Sequence, residues 1–125
     1  MSLDAIGIVA GDAAKSVEFY ALLGVTLTKF GDHDHYDATT SSGMRIMLDT
    51  VELIRTFDPT YQKPTASGVV LCFKQDSAAA VDALYARITS AGFGGKKPPW
   101  DAFWGQRYAC VLDPDGNQID LFSPL

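Results

Sequence analysis

The chain has 125 residues, 47% of them hydrophobic, and eleven glycines, which suits one globular domain with a substantial core and is too short for two of ordinary size. A net charge of −5 with the basic residues scattered excludes a phosphate-backbone footprint, so nucleic acid is not an expected partner. No apolar run reaches the length of a membrane span and the N-terminus lacks a basic-then-apolar leader pattern, so the chain is expected in the cytoplasm, away from membranes, with Cys72 and Cys110 as free thiols in strands.

In chain order, AIGIVA at residues 5–10 reads as a short strand. Asp12 then caps a helix whose apolar positions include Val17, Phe19, Tyr20 and Leu23, and Gly24 ends it. Val25 to Phe30 alternates as a strand would, GDHD turns, and Tyr36–Thr40 and Gly43–Leu48 read as two further strands joined at SSG. Residues 51–67 open with an apolar turn and become rich in Pro and Thr, as a connection does. Gly68–Phe73 is again an apolar strand, and Asp76 or Ser77 caps a helix with Val81, Leu84, Tyr85 and Ile88 on one face, ended by Gly92. A short strand near Gly94–Lys97, an aromatic loop PPWDAFWG and a hairpin complete the chain.

That hairpin turns at Asp113–Gly116, where Pro114 presets φ and Gly116 tolerates positive φ. If Leu112 faces Asn117, one face carries Tyr108, Cys110, Leu112, Ile119 and Leu121 and belongs against a core. The other then carries Arg107, Ala109, Val111, Gln118, Asp120 and Phe122, as a cavity wall or a solvated surface would. A bulge in the turn would change this assignment.

The halves repeat. Val17 and Tyr20 recur as Val81 and Tyr85, and setting Gly43 on Gly116 brings Ile46 onto Ile119, Leu48 onto Leu121 and Met47 onto Asp120. The pattern implies an α+β fold of two βαβββ modules, about 3–50 and 68–125 with a linker at 51–67, in a single domain spanning 1–125. The modules would form a curved mixed sheet around a cavity with the helices outside.

The stretches DAAKSVEFYALLG, Asp12–Gly24, and WGQRYACVLDPDGNQIDLF, Trp104–Phe122, resemble the vicinal oxygen chelate superfamily of glyoxalase I, bleomycin-resistance proteins and extradiol dioxygenases. The resemblance implies metal-ligand positions at Ala5, Met47, Gly68 or Val69, and Asp120, of which only Asp120 can ligate. A metal site of the family's usual kind is therefore not expected, nor is another cofactor, and the metal-dependent chemistries of the family are disfavoured. A non-standard site through Asp49 and Asp120, or through the His33/His35 pair, is the alternative, against a plain solvated turn for GDHDHY. The resemblance also implies a homodimer.

The expected activity is binding of a small organic molecule, in resistance or sequestration. The ligand-binding candidates are Arg45, Met47, Asp49, Trp100, Trp104, Arg107, Asp120 and Phe122: aromatic rings for stacking, with a few convergent polar groups. Trp100, Phe103 and Trp104 form either a lid over the ligand or anchors pinning the loop. Arg107 is expected either to hold an anionic group of the ligand or to pair with Asp120. The alternative is a lyase, isomerase or dioxygenase-type enzyme, with Asp120 as the candidate catalytic base.

Overall fold

A computed structural model describes residues 1–65 and 68–125, in two compact units, Met1–Pro64 and Thr65–Leu125. The last two residues of the expected linker, Ala66 and Ser67, lie outside the described residues.

In the first unit, β1 (Ala5–Ala10) leads to α1 (Ala13–Leu22), β2 (Thr28–Lys29), β3 (His35–Thr39) and β4 (Arg45–Thr50) in a sheet of order β1-β4-β3-β2. The β1–β4 pair is parallel and the others antiparallel. The carboxylate of Asp12 accepts from Lys15 N at 3.2 Å and starts α1, which buries Phe19 and Tyr20 together with Ile8, Ile46 and Leu48 in the core. The strand expected over Val25–Phe30 pairs only at Thr28–Lys29, although Val25 and Leu27 are buried by packing. The apolar turn expected after Thr50 is a short helix, α2 (Val51–Arg55), capped by the Thr50 hydroxyl on Leu53 N.

The second unit repeats the plan with β5 (Leu71–Lys74), α3 (Ala78–Ser90), β6 (Gly94–Ala102), β7 (Gln106–Leu112) and β8 (Gln118–Pro124), in the order β5-β8-β7-β6. Ser77, rather than Asp76, caps α3, which sets Val81, Leu84 and Ile88 against Ala109, Val111, Ile119 and Leu121, all buried. β5 starts three residues later than Gly68, and β6 runs on through Pro98 and Pro99 to Ala102, so most of the expected aromatic loop is strand. Prolines survive there because β6 is an edge strand, and its register with β7 shifts on both sides of Lys97.

The two modules match at their last hairpins. Thr40 N donates to Met44 O and Gly43 N to Thr40 O, both at 2.9 Å; Asp113 N donates to Asn117 O at 2.9 Å and Gly116 N to Asp113 O at 3.0 Å. Gly43 and Gly116 sit at φ of 90° and 84°. Each is a three-residue hairpin loop closed by a left-handed glycine, so the alignment of Gly43 with Gly116 agrees with the hydrogen bonding and the glycine φ of both loops.

This loop corrects the parity expected for β7. Asp113, not Leu112, faces Asn117, so Leu112 pairs with Gln118, Cys110 with Asp120 and Tyr108 with Phe122. β8 keeps its expected faces, but every β7 side chain changes sides. Ala109 and Val111 join Ile119 and Leu121 in the core beneath α3, and Tyr108, Cys110 and Leu112 join Gln118, Asp120 and Phe122 opposite it.

Candidate functional site

On the second sheet, Asp120 lies between Cys72 on β5 and Cys110 on β7, its lateral partners. The Tyr108 hydroxyl donates to Asp120 Oδ2 at 2.5 Å and Gln118 Nε2 to Oδ1 at 2.9 Å, while Lys96 Nζ donates to Gln118 Oε1 at 2.6 Å. Asp120 is only 7% exposed, and these donors offset the loss of its hydration. Burial pushes the Tyr108 phenol above its ordinary range, and the Asp120 carboxylate adds to the effect. Burial first and the Asp120 charge second push the Cys110 thiol up to about 11, and Cys72 is raised by the same two causes. Phenol and thiols therefore stay protonated at neutral pH, which removes a thiolate nucleophile from this face. The cysteines stand two strands apart, roughly 10 Å, beyond disulfide reach.

Beside this acid lies a continuous aromatic group. Trp100 packs edge-on to Tyr108 with centroids 5.4 Å apart, Trp104 to Tyr108 at 5.2 Å and to Trp100 at 6.0 Å, and Tyr108 stacks along Phe122 at 6.3 Å. Trp104 Nε1 donates to Gln106 Oε1 at 2.9 Å, which fixes the indole at the β6–β7 turn while leaving it 48% exposed. The Lys97 ammonium lies 3.9 Å from the Trp100 ring centroid, so this group already receives a cation from its own chain. Trp104 is thus anchored in a cluster, and Phe103 packs edge-on to it with centroids 5.0 Å apart while remaining 96% exposed.

Arg107 is not part of this face. The corrected register turns it toward α3, where Nε and Nη2 grip Asp82 at 2.9 and 3.2 Å and Nη1 reaches Asp101 at 3.1 Å. The expected pairing of Arg107 with Asp120 does not form, and both of its neighbours are structural partners.

On the first sheet, Arg45, Met47 and Asp49 share one face, as their alternation predicts, and the register adds Thr39, Asp37 and His35 directly opposite them. His35 Nδ1 lies 2.5 Å from Asp49 Oδ1. Arg45 Nη1 donates to Asp37 Oδ2 at 2.5 Å, Nε and Nη2 donate to Asp4 Oδ2 at 3.0 and 2.9 Å, and Nη2 approaches Met47 Sδ at 3.9 Å. Three of the five Arg45 N–H donors go to carboxylates of its own chain, whose charges offset that of the guanidinium. His33 is exposed in the turn before β3, away from the pair that alternation suggested for it.

Sequence reasoning missed His35 opposite Asp49, and Tyr108 and Gln118 on Asp120. The first was recoverable by counting back from the glycine turn: a loop closed by Thr40 and Met44 sets Thr39 on Arg45 and so His35 on Asp49. At the metal positions the resemblance implies, the donor set does not fit a divalent ion. Ala5 and Val69 carry no donor, Met47 offers a thioether, and both Asp120 oxygens are held by Tyr108 and Gln118. Among the described residues, no three His, Cys, Asp or Glu side chains converge on a metal-sized site, and no helix is long and apolar enough to cross a membrane.

No functionally curated protein matches this chain by sequence. Among solved structures, it is similar to a glyoxalase/bleomycin resistance protein/dioxygenase from Nocardioides, with 26% identity, 100% of this chain and 84% of that one covered, and a TM-score of 0.77. A family enzyme of the same description from Burkholderia phytofirmans PsJN superimposes with 20% identity over 100% of both chains and a TM-score of 0.79. A glyoxalase-related enzyme from Fulvimarina pelagi gives 18% identity, 98% and 87% coverage and a TM-score of 0.82, a likeness of fold alone. The paired βαβββ modules are those of this fold, and the family model matches residues 2–121. The chain belongs to the glyoxalase/bleomycin resistance protein/dioxygenase superfamily.

Proposed function

We propose that the protein binds a small planar organic molecule, uncharged or cationic, on the sheet face that carries Trp100, Trp104, Tyr108 and Phe122 around Asp120, without a metal ion. The observation that supports this reading is the pair of tryptophans packed edge-on around Tyr108, whose hydroxyl holds the Asp120 carboxylate, with a lysine ammonium already seated on one ring. Rings supply stacking area, and the acid with the nearby Gln118 supplies orientation. Turnover by Asp120 as a general base is the weaker reading, because both of its oxygens already accept hydrogen bonds. In the same reading the chain acts as a homodimer, a proposal that rests on the family resemblance; sedimentation at micromolar concentration is expected to give a dimer, and a monomer overturns it.

Quenching of tryptophan fluorescence across a library of aromatic amines and neutral heteroaromatics tests the binding. A hit is expected to lose about tenfold in affinity in Trp104→Ala, the scale of one stacked ring. Affinities unchanged in both Trp104→Ala and Phe122→Ala would remove the cluster from the binding surface.

A further inference from the structure

We infer that His35 and Asp49 on the first sheet form a general-base dyad, a catalytic function that does not rest on the reading above. An ionised carboxylate only accepts hydrogen bonds, so the 2.5 Å contact with Asp49 Oδ1 puts a proton on His35 Nδ1 and leaves Nε2 with its lone pair in the neutral ring. Among the described residues Nε2 has no hydrogen-bond partner; its nearest acid, Asp37 Oδ2, is 4.0 Å away and is held by Arg45. The His35 side chain is 28% exposed and that of Asp49 30%, so the dyad is partly open to a substrate. Asp49 acts here as a positioning residue: it sets the tautomer and stabilises the imidazolium that forms on proton uptake.

The surroundings restrict the substrate. Asp37 and Asp49 flank the ring, and the neighbouring cation Arg45 is paired with Asp4 and Asp37, so an anionic substrate is disfavoured. Phe30 lies edge-on to His35 with centroids 6.3 Å apart and is 68% exposed, which adds an apolar surface beside the imidazole. The class that fits is an uncharged, flat molecule carrying an activated C–H or O–H.

A probe of that class is 5-nitrobenzisoxazole. Nε2 takes its ring C–H proton, the C–H electron pair completes a nitrile, the N–O bond breaks, and the phenolate oxygen leaves with the bonding pair; the imidazolium then returns its proton to water. The full-length protein is expected to release the coloured phenolate, with His35→Gln losing about a hundredfold of the rate, the usual range for a lost general base. His33→Gln, in the exposed turn, is expected to match the parent protein. Asp49→Asn, whose amide nitrogen can donate to Nδ1 and favour the opposite tautomer, is expected to slow the reaction about tenfold or more and to move the His35 nitrogen-15 resonances away from the Nδ1–H tautomer. No release above the buffer rate, a rate unchanged in a folded His35→Gln, or nitrogen-15 shifts unchanged in Asp49→Asn would each overturn the assignment.

Discussion

Asp120 shows how much one residue's meaning depends on its partners. Its position in the repeat was legible from sequence, as was its place opposite the core face of β8; its engagement by Tyr108 was not, because Tyr108 changes faces with a single-residue difference in loop length. Tyr108→Phe leaves Asp120 Oδ2 without its donor in a site 7% exposed, and is expected to cost about 1–3 kcal/mol of stability in urea unfolding. The thiols add a pH dependence. Cys110 rises from an ordinary 9.0 to about 11 on folding, so its contribution to stability is intact below pH 9 and is lost as pH climbs through 11. Urea midpoints measured between these limits are expected to fall less steeply in Cys110→Ala than in the parent. Cys72 and Tyr108, also raised, maintain the remainder of the decline.

At the scale of elements, the helices and their caps were the most legible part, because Asp12 and the pair Asp76/Ser77 precede strong apolar periodicity. Edge strands were least legible: β2 is two residues long, and β6 carries two prolines that read as a loop. The hairpin loops decide more than either. Because Gly43 and Gly116 close loops of the same geometry, β3 and β4 correspond to β7 and β8 residue by residue. His35 takes the place of Tyr108 and Asp37 that of Cys110, while the acids are offset by one pleat, Asp49 matching Phe122 and Asp120 matching Met47. The same sheet position thus carries a hydrogen-bonded acid partner in both modules, paired straight across in one and diagonally in the other. Gly116→Ala and Gly43→Ala each force a β-carbon into the left-handed region, with open space around it, and are expected to cost a similar amount, about 1–2 kcal/mol by denaturant titration.

For the whole molecule, the internal repeat made the architecture readable, since Gly43 and Gly116 alone align the last strands of both modules. The chemistry was less readable, because the residues that bond to the candidate acids come from neighbouring strands whose register depends on three-residue loops. The repeat also divides the reporters unevenly. Trp100 and Trp104, like both cysteines, belong to Thr65–Leu125, and Met1–Pro64 has neither residue type. Indole emission is therefore a signal from one module, as is any thiol label, whereas amide circular dichroism sums over both. The chain carries its own means of watching its halves separately: comparing the two optical signals along one denaturation curve shows whether the modules melt as a single cooperative body, without adding a dye or changing a residue.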